Sequence, residues 1–315
     1  MKRFVIRRLI SMIAVLFAIS IATFCIFNVI PNSDPAQRLA GRHPTKGQIE
    51  AIRRQWGFDK PVYTQYAKMM EKIFTGDLVS YVSQVDVDKE ILQDAPRTFS
   101  LAIGAAIMWM VFAIALGLYT AVRAGGFADR FLTVLALIGI SMPVFWIGAL
   151  MNYYLGFKWN IFPNGGYVPL TEDPLQWAYH LIMPWTALSL LFIGVYSRIL
   201  RSNVLDTIND DYVRTARAKG VPERQVLLRH VLRNSLIPIV TLWGLDFGAV
   251  VGGGALLTET VFDLQGVGQY VAESIAQLDV PPVLAVVMFG AFFVVVTNTV
   301  VDIIYATLDP RIRLT

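Results

Sequence analysis

Long apolar runs separated by short polar punctuation dominate the chain. Six stretches reach the roughly 20 residues that an α-helix needs to cross a hydrocarbon core about 30 Å thick. They are Leu9 to Ile30, Phe99 to Val122, Phe131 to Leu155, Leu181 to Leu200, Leu236 to Leu257 and Val283 to Tyr305. Pro143 falls inside the third and predicts a kink there. Shorter elements sit between the runs. Thr45 and Gln48 fit a capping box that opens a helix through Gln55, with Gly57 to end it, and Pro61 to Phe74 reads as a second helix closed by Gly76. Further on, Asp210 or Asp211 can cap a helix running to Lys219. Gly220 can end it, and Pro222 suits the first turn of another helix continuing through Leu232. Gln269 to Leu278 predicts a last short helix with Tyr270, Val271 and Ile275 on its apolar side.

Composition agrees with a lipid environment: 55% of the 315 residues are hydrophobic and only 16% charged, with a mean hydropathy of +0.54. An ordinary soluble globule does not expose that much apolar surface. The fold class expected is an all-α integral membrane protein with six transmembrane helices. The first run follows Lys2, Arg3, Arg7 and Arg8 as a signal peptide would. It is too long for a cleavable apolar core and no small-residue cleavage site follows, so it reads as a retained span. Cys25 stands alone inside that run, which excludes an intrachain disulfide.

Net charge is +4, but its distribution says more. With six spans both termini share one side, and the basic residues concentrate there: the amino-terminal four, Arg123 and Arg130, the group from Arg198 to Arg233, and Arg311 and Arg313. The short loops opposite hold only Lys158, and none lies between Thr258 and Pro282. Positive charge in short loops marks the cytoplasmic face, so both termini are expected inside. Topology thus accounts for the basic residues, and no nucleic-acid partner is expected. The loop from 31 to 98 carries ten basic and nine acidic residues, and at that length it translocates regardless of charge. Its apolar content, including Trp56, Phe58, Tyr63, Tyr66 and Met69, predicts a small cap over the outer face. The chain therefore divides into a first helix at 1–30, an outer loop at 31–98 and a five-helix core at 99–315 with a cytoplasmic loop at 201–235.

Order within that cytoplasmic loop is more informative than its charge. The run Asp211-Tyr212-Val213-Arg214-Thr215-Ala216-Arg217-Ala218-Lys219-Gly220, continuing to Leu232-Arg233-Asn234-Ser235-Leu236-Ile237-Pro238, resembles the EAA-type coupling loop of binding-protein-dependent ABC importers in its dipeptide and oligopeptide permease form. Ala216 and Gly220 fit the general pattern. Asp211, Tyr212 and Val213 stand where Glu-Ala-Ala is usual, and His230 to Arg233 where I-x-L-P is usual. Other stretches extend the likeness: Ile6-Arg7-Arg8-Leu9, Asp34-Pro35-Ala36, Gly57-Phe58-Asp59-Lys60-Pro61, Thr258-Glu259-Thr260-Val261-Phe262, Gly266-Val267-Gly268 and Leu308-Asp309-Pro310-Arg311. Asn32-Ser33 replaces a lone glycine.

The resemblance implies an ABC importer type I permease fold, in the cytoplasmic membrane of a bacterium or archaeon, that moves peptides by alternating access. It also implies a homologous second permease subunit, two ATPase subunits and an extracytoplasmic solute-binding protein. No G-x-x-x-x-G-K-S/T motif occurs in the chain, so ATP and Mg are expected on the ATPase subunits, with no cofactor or metal on this one. Within the coupling loop, Tyr212, Arg214, Thr215, Ala216, Ala218, Lys219, Gly220 and Val221 are the expected contacts with an ATPase. The same family also serves nickel chelates, glutathione and some sugars, so peptide is the leading cargo and these are alternatives.

Polar groups inside the spans supply the remaining candidates. An ionisable residue in a membrane faces a cavity or a partner, which singles out Asp246 for the pore or for an interhelix hydrogen bond. Asn298 and Asp302 share one helical face, although Asp302 lies near the cytoplasmic end, where pairing with Arg311 is the plainer role. Glu259 belongs to an outer segment with Asp263, Glu273 and Asp279 that could gate the entrance. Gly244, Gly248 and Gly252 recur every fourth residue and form a smooth stripe suited to close helix packing. An intramembrane enzyme finds no seat: His43, His180 and His230 are scattered, and Asp246 has no facing carboxylate. A passive channel would leave the coupling loop without a use.

Overall fold

The computed structural model describes residues 2–26, 36 and 45–308, with side chains described from 10 to 301 within them. Every named element among these is helical. The one piece of β pairing is an isolated antiparallel bridge between Val79 and Asp86. In order the helices are α1 (Lys2–Phe24), α2 (Lys46–Trp56), α3 (Val62–Thr75), α4 (Val87–Val122), α5 (Phe127–Ser141) and α6 (Val144–Met151), which widens into a π-helical stretch, Asn152–Lys158. Then come α7 (Pro174–Thr207), α8 (Asp211–Ala218), α9 (Glu223–Gln225, a wide turn Val226–Val231, then Leu232–Ser235), α10 (Ile237–Ala249, then a wide turn Val250–Gly254), α11 (Leu256–Val261), α12 (Val267–Ala276) and α13 (Val280–Leu308).

Among the described residues, four helices, α4, α7, α10 and α13, are long and apolar enough to cross a membrane, and the pair α5 and α6 makes a fifth if counted as one broken span. The expected first span appears as the apolar part of α1, Ile10–Phe24. Residues 27–30, which would complete it, lie outside the described residues, as do Asp34, Pro35, His43 and 309–315.

The third apolar run departs furthest from expectation. Instead of a kinked helix, it contains two helices meeting at 99°. Met142 is extended (φ −93°, ψ 133°) and Pro143 sits at the N-cap of α6. The proline ring disfavours helical geometry at the residue before it, so the chain leaves the helix at Met142 and restarts beyond. Elsewhere proline is absorbed: Pro96 and Pro184 lie within α4 and α7. The start of α7 has a plain cause. Asp173 accepts from the amides of Leu175 and Gln176 at 2.9 and 3.1 Å, and Pro174 occupies the first turn, where no amide is needed.

The pair α4 and α7 forms the centre of the core. Small residues let the backbones approach: a Cβ on Gly117 would lie 2.8 Å from the Ser197 carbonyl, and one on Gly104 would overlap the Trp185 indole at 2.0 Å. Side-chain donors then bond to the α4 backbone. Trp185 Nε1 donates to Ser100 O at 2.9 Å, Ser189 Oγ to Ala105 O at 3.1 Å, and Trp243 Nε1, from α10, to Ala106 O at 3.0 Å. Trp109 and Tyr196 are fully enclosed there. At one end of this pair, Arg201 grips Asp129 through Nε and Nη2, both at 2.8 Å, while Asp129 accepts from the Gly125 amide and so fixes the α4–α5 turn.

A second apolar cluster joins the outer loop to the bundle through Met69, Leu78, Val87, Ile91, Val271, Val280 and Leu284. Tyr66 on α3 meets α1 by a 2.6 Å hydrogen bond with Ser20 and an edge contact with Phe24. The capping box at Thr45 and Gln48 is formed, and Gly57 and Gly76 end their helices with φ of +74° and +76°.

Candidate functional site

Residues 211–235 build an elbow. Asp211–Ala218 is helical, and Gly220 turns the chain with φ +76°, a left-handed conformation that glycine adopts without steric cost. Amides of Lys219, Gly220 and Val221 return to Thr215, Arg217 and Ala216 carbonyls at 2.9–3.3 Å, closing the helix end. Asp210 occupies the N-cap position, yet its side chain makes no capping bond. The second arm continues to Ser235, three residues past the expected Leu232.

Three features hold the elbow in shape. Val213, Ala216, Val226 and Val231 are buried in the main core. Arg217 spans the corner to Glu223 with two bonds of 2.7 and 3.1 Å and also donates to Ile208 O. That bond raises the Arg217 pKa and lowers that of Glu223. Tyr212 is tied by its hydroxyl, which donates to His230 O at 3.3 Å and accepts from Asn234 Nδ2 at 2.6 Å. Exposed on the outside are Tyr212, Arg214, Thr215, Ala218, Lys219 and Gly220, with Val221 half-buried. Ala216 is different: only 7% exposed, it supports the elbow from beneath and is unavailable as a contact in this arrangement.

Inside the spans, Asp246 is half-buried and accepts a 2.6 Å hydrogen bond from Tyr196 on α7. Asn298 on α13 is half-buried, with its Oδ1 enclosed and unpaired among the described residues. The side chain of Asp302, and with it any pairing to Arg311, lies outside the described residues. The glycines of α10 lie against α13. A Cβ on Gly244 would fall 2.0 Å from Val301 Cγ2, on Gly248 3.0 Å from Thr297 Cβ, and on Gly252 2.6 Å from Val294 Cγ2. The closest backbone approach is at Gly290, where a Cβ would be 2.5 Å from Gly252 O.

Glu259 occupies a separate site just beyond the wide turn that ends α10. It is fully buried, and Oε2 accepts from the Gln269 amide at 3.0 Å. The Gly266-Val267-Gly268 turn lies across it: a Cβ on Gly266 or Gly268 would sit 2.5 or 2.8 Å from the carboxyl group. Burial pushes its pKa up to about 6, against the hydrogen bonds from Thr98 and the Gln269 and Gly268 amides, which lower it. Asp263 and Glu273 are exposed and share Gln269 Nε2 at 3.0 and 3.1 Å. In α12 the buried face carries Val271 and Ser274, whereas Ile275, expected on the apolar side, is 42% exposed.

Asp279 has a structural role that sequence reasoning missed. Only 3% exposed, it accepts from the Ser80 hydroxyl and from the amides of Tyr81 and Val82 at 3.0 and 3.4 Å, fastening the outer loop to the start of α13. The only sequence signal was its position between an exposed helix and Val280-Pro281-Pro282.

Apolar helices of spanning length, a basic elbow on a buried footing and glycine-smoothed helix crossings define a multi-pass membrane protein. Residues 113–314 match the binding-protein-dependent transport system inner membrane component family and residues 1–102 match its N-terminal family. The chain belongs to this family. It is 34% identical over 311 residues to a probable peptide ABC transporter permease of Sinorhizobium fredii, covering 98% of this chain and 99% of that protein. A putative peptide transport system permease of Brucella abortus is 34% identical over 314 residues, and a glutathione transport system permease of Escherichia coli 35% identical over 314, each covering 99% of both chains.

Proposed function

We propose that this chain is one of two permease subunits of a bacterial importer that carries peptides across the cytoplasmic membrane. On this reading the chain makes six spans, with α1 as the first and α5–α6 as the broken third, and the basic residues of the short loops put both termini in the cytoplasm. Two ATPase subunits bind ATP and Mg, and an extracytoplasmic solute-binding protein delivers the cargo. The observation that carries this reading is the elbow: Arg214, Thr215, Ala218 and Lys219 are exposed around Gly220, while Val213 and Ala216 anchor the same helix in the bundle core. A rigid body docked in an ATPase groove at that corner transmits its movement directly to α7 and α10, the helices that flank it in the chain. Asp246, Asn298 and Asp302 are the pore candidates, and Glu259 and its glycine turn form part of the outer gate.

Peptide cargo rests on the relatives in Sinorhizobium and Brucella. The Escherichia relative favours a second reading, glutathione, itself a small peptide. Calorimetric titration of the partner solute-binding protein with dipeptides, longer peptides, glutathione, nickel chelates and sugars decides between them. Tight sugar or nickel binding without peptide binding overturns the cargo assignment. Uptake by this chain without ATPase subunits would overturn the importer mechanism.

A further inference from the structure

A pocket of about 570 Å³ lies between α5 and α7, away from the elbow corner and the outer gate. The two helices run antiparallel here: Gly139 faces Leu190 O and Gly194 faces Ala136 O, while Arg201 reaches Asp129. The lining is therefore graded along the helices. Ile140 and Val195 lie toward the membrane interior, and Thr133, Arg198 and Ser202 lie toward the end where Arg201 and Asp129 pair. Arg201 is neutralised by Asp129 at 2.8 Å. Arg198 is exposed and has no acidic partner among the described residues; the Thr133 hydroxyl is engaged by Asp129, which leaves the Ser202 hydroxyl beside Arg198 in the lining. Just beyond, Phe127 and Phe131 are 85% and 55% exposed with stacked rings 6.2 Å apart, and exposed Arg130 lies between them in sequence. Exposed phenylalanines beside arginines suit the boundary between lipid headgroups and acyl chains.

We propose that this pocket binds the headgroup of an anionic phospholipid. The phosphate takes Arg198 and the Ser202 hydroxyl, and the upper acyl chain lies along Ile140, Val195 and Ile199. A net cationic mouth above an apolar wall selects a charged amphiphile, because a free anion gains nothing from the wall and a zwitterionic headgroup carries its own cation to the arginine. The proposal needs the helices to be membrane-embedded but does not depend on cargo or on elbow coupling, so it can fail without affecting either.

The test is native mass spectrometry of the assembled, delipidated importer titrated with phosphatidylglycerol, phosphatidylcholine or inorganic phosphate. The wild-type complex is expected to retain phosphatidylglycerol in preference to phosphatidylcholine. Arg198→Gln is expected to weaken phosphatidylglycerol retention about fivefold, with Arg198→Lys recovering most of it. Arg54→Gln, on the outer helix α2, should bind as wild type. Equal retention by Arg198→Gln and wild type overturns the proposal. Full displacement by inorganic phosphate would show a free-anion site instead, and binding only by the isolated chain would show that a partner subunit covers the pocket. Either result also overturns it.

Discussion

Gly220 offers the sharpest test of the elbow. Its φ of +76° is unfavourable for any residue with a Cβ, yet nothing lies within 4 Å of where that Cβ would be. Substitution there changes backbone preference and leaves packing alone. An alanine in this conformation costs about 1–2 kcal/mol, near a tenfold shift between closed and opened elbow, since about 1.4 kcal/mol corresponds to a factor of ten. Asparagine tolerates the conformation better and should cost less. Proline locks φ near −65° and removes the amide that bonds to Arg217 O at 2.9 Å, so it cannot form the corner at all. The Arg217–Glu223 pair cannot make up the difference, because it is solvent-exposed and worth at most about 1 kcal/mol. The assay is a complete importer in proteoliposomes, with labelled peptide uptake and phosphate release measured in parallel. Uptake per ATP should fall in the order Gly220, Asn, Ala, Pro, while thermal unfolding of the membrane bundle stays constant. Normal coupling in Gly220→Pro, or asparagine performing worse than alanine, would refute the reasoning.

Three further outcomes follow from the geometry. Gly290→Ala forces a methyl group onto the Gly252 carbonyl and should destabilise the α10–α13 crossing by about 1–3 kcal/mol, seen as a lower midpoint in detergent melts. Gly47→Ala, with open space around it, should not lower the midpoint. Asp279→Ala strands the Ser80 hydroxyl and two amides, a loss of about 3 kcal/mol, and should speed amide exchange at residues 80–82 without affecting α7. The Glu259 carboxyl has a folded pKa of about 6 against an ordinary 4.5, so protonation favours the folded state. Its contribution is complete below about pH 4.5 and is lost as pH rises through about 6, worth about 2 kcal/mol. Melting midpoints between pH 4.5 and 7.5 should fall accordingly in wild type and flatten in Glu259→Gln.

The features legible from sequence are those whose cause is local. Helical period placed Gly244, Gly248 and Gly252 on one face, and the structure adds that their neighbours are Val301, Thr297 and Val294. Thr45, Gly57, Gly76 and Gly220 act within a few residues of themselves, and their caps and turns stand where the pattern put them. The size of the break at Pro143 was harder to read, because a proline can be absorbed, as in α4 and α7, or can end a helix, depending on what packs around it. Partners distant in sequence left no trace. Nothing near Asp246 points to Tyr196, and nothing near Asp279 points to Ser80, 199 residues away along the chain. Ala216 fitted its motif, but its burial belongs to a core cluster assembled from segments distant in sequence.

The three donors on the α4 backbone have a mechanical consequence. Sliding α7 along α4 by one turn, about 5.4 Å, would pull Trp185 and Ser189 from their carbonyls and strand both groups in a setting without water. Where α10 crosses α13 the facing surfaces are chiefly glycine backbone and methyl groups, and among the described residues the same slip breaks no hydrogen bond of that kind. The crossings of α4 with α7 and α10 are thus riveted by hydrogen bonds, whereas among the described residues α13 is held by packing alone, against the α10 glycines and against Phe99 of α4 through Phe289 and Phe293. Under the proposed coupling, a stroke delivered at the elbow would move α4, α7 and α10 together, and the α10–α13 crossing is where a slip would break fewest hydrogen bonds.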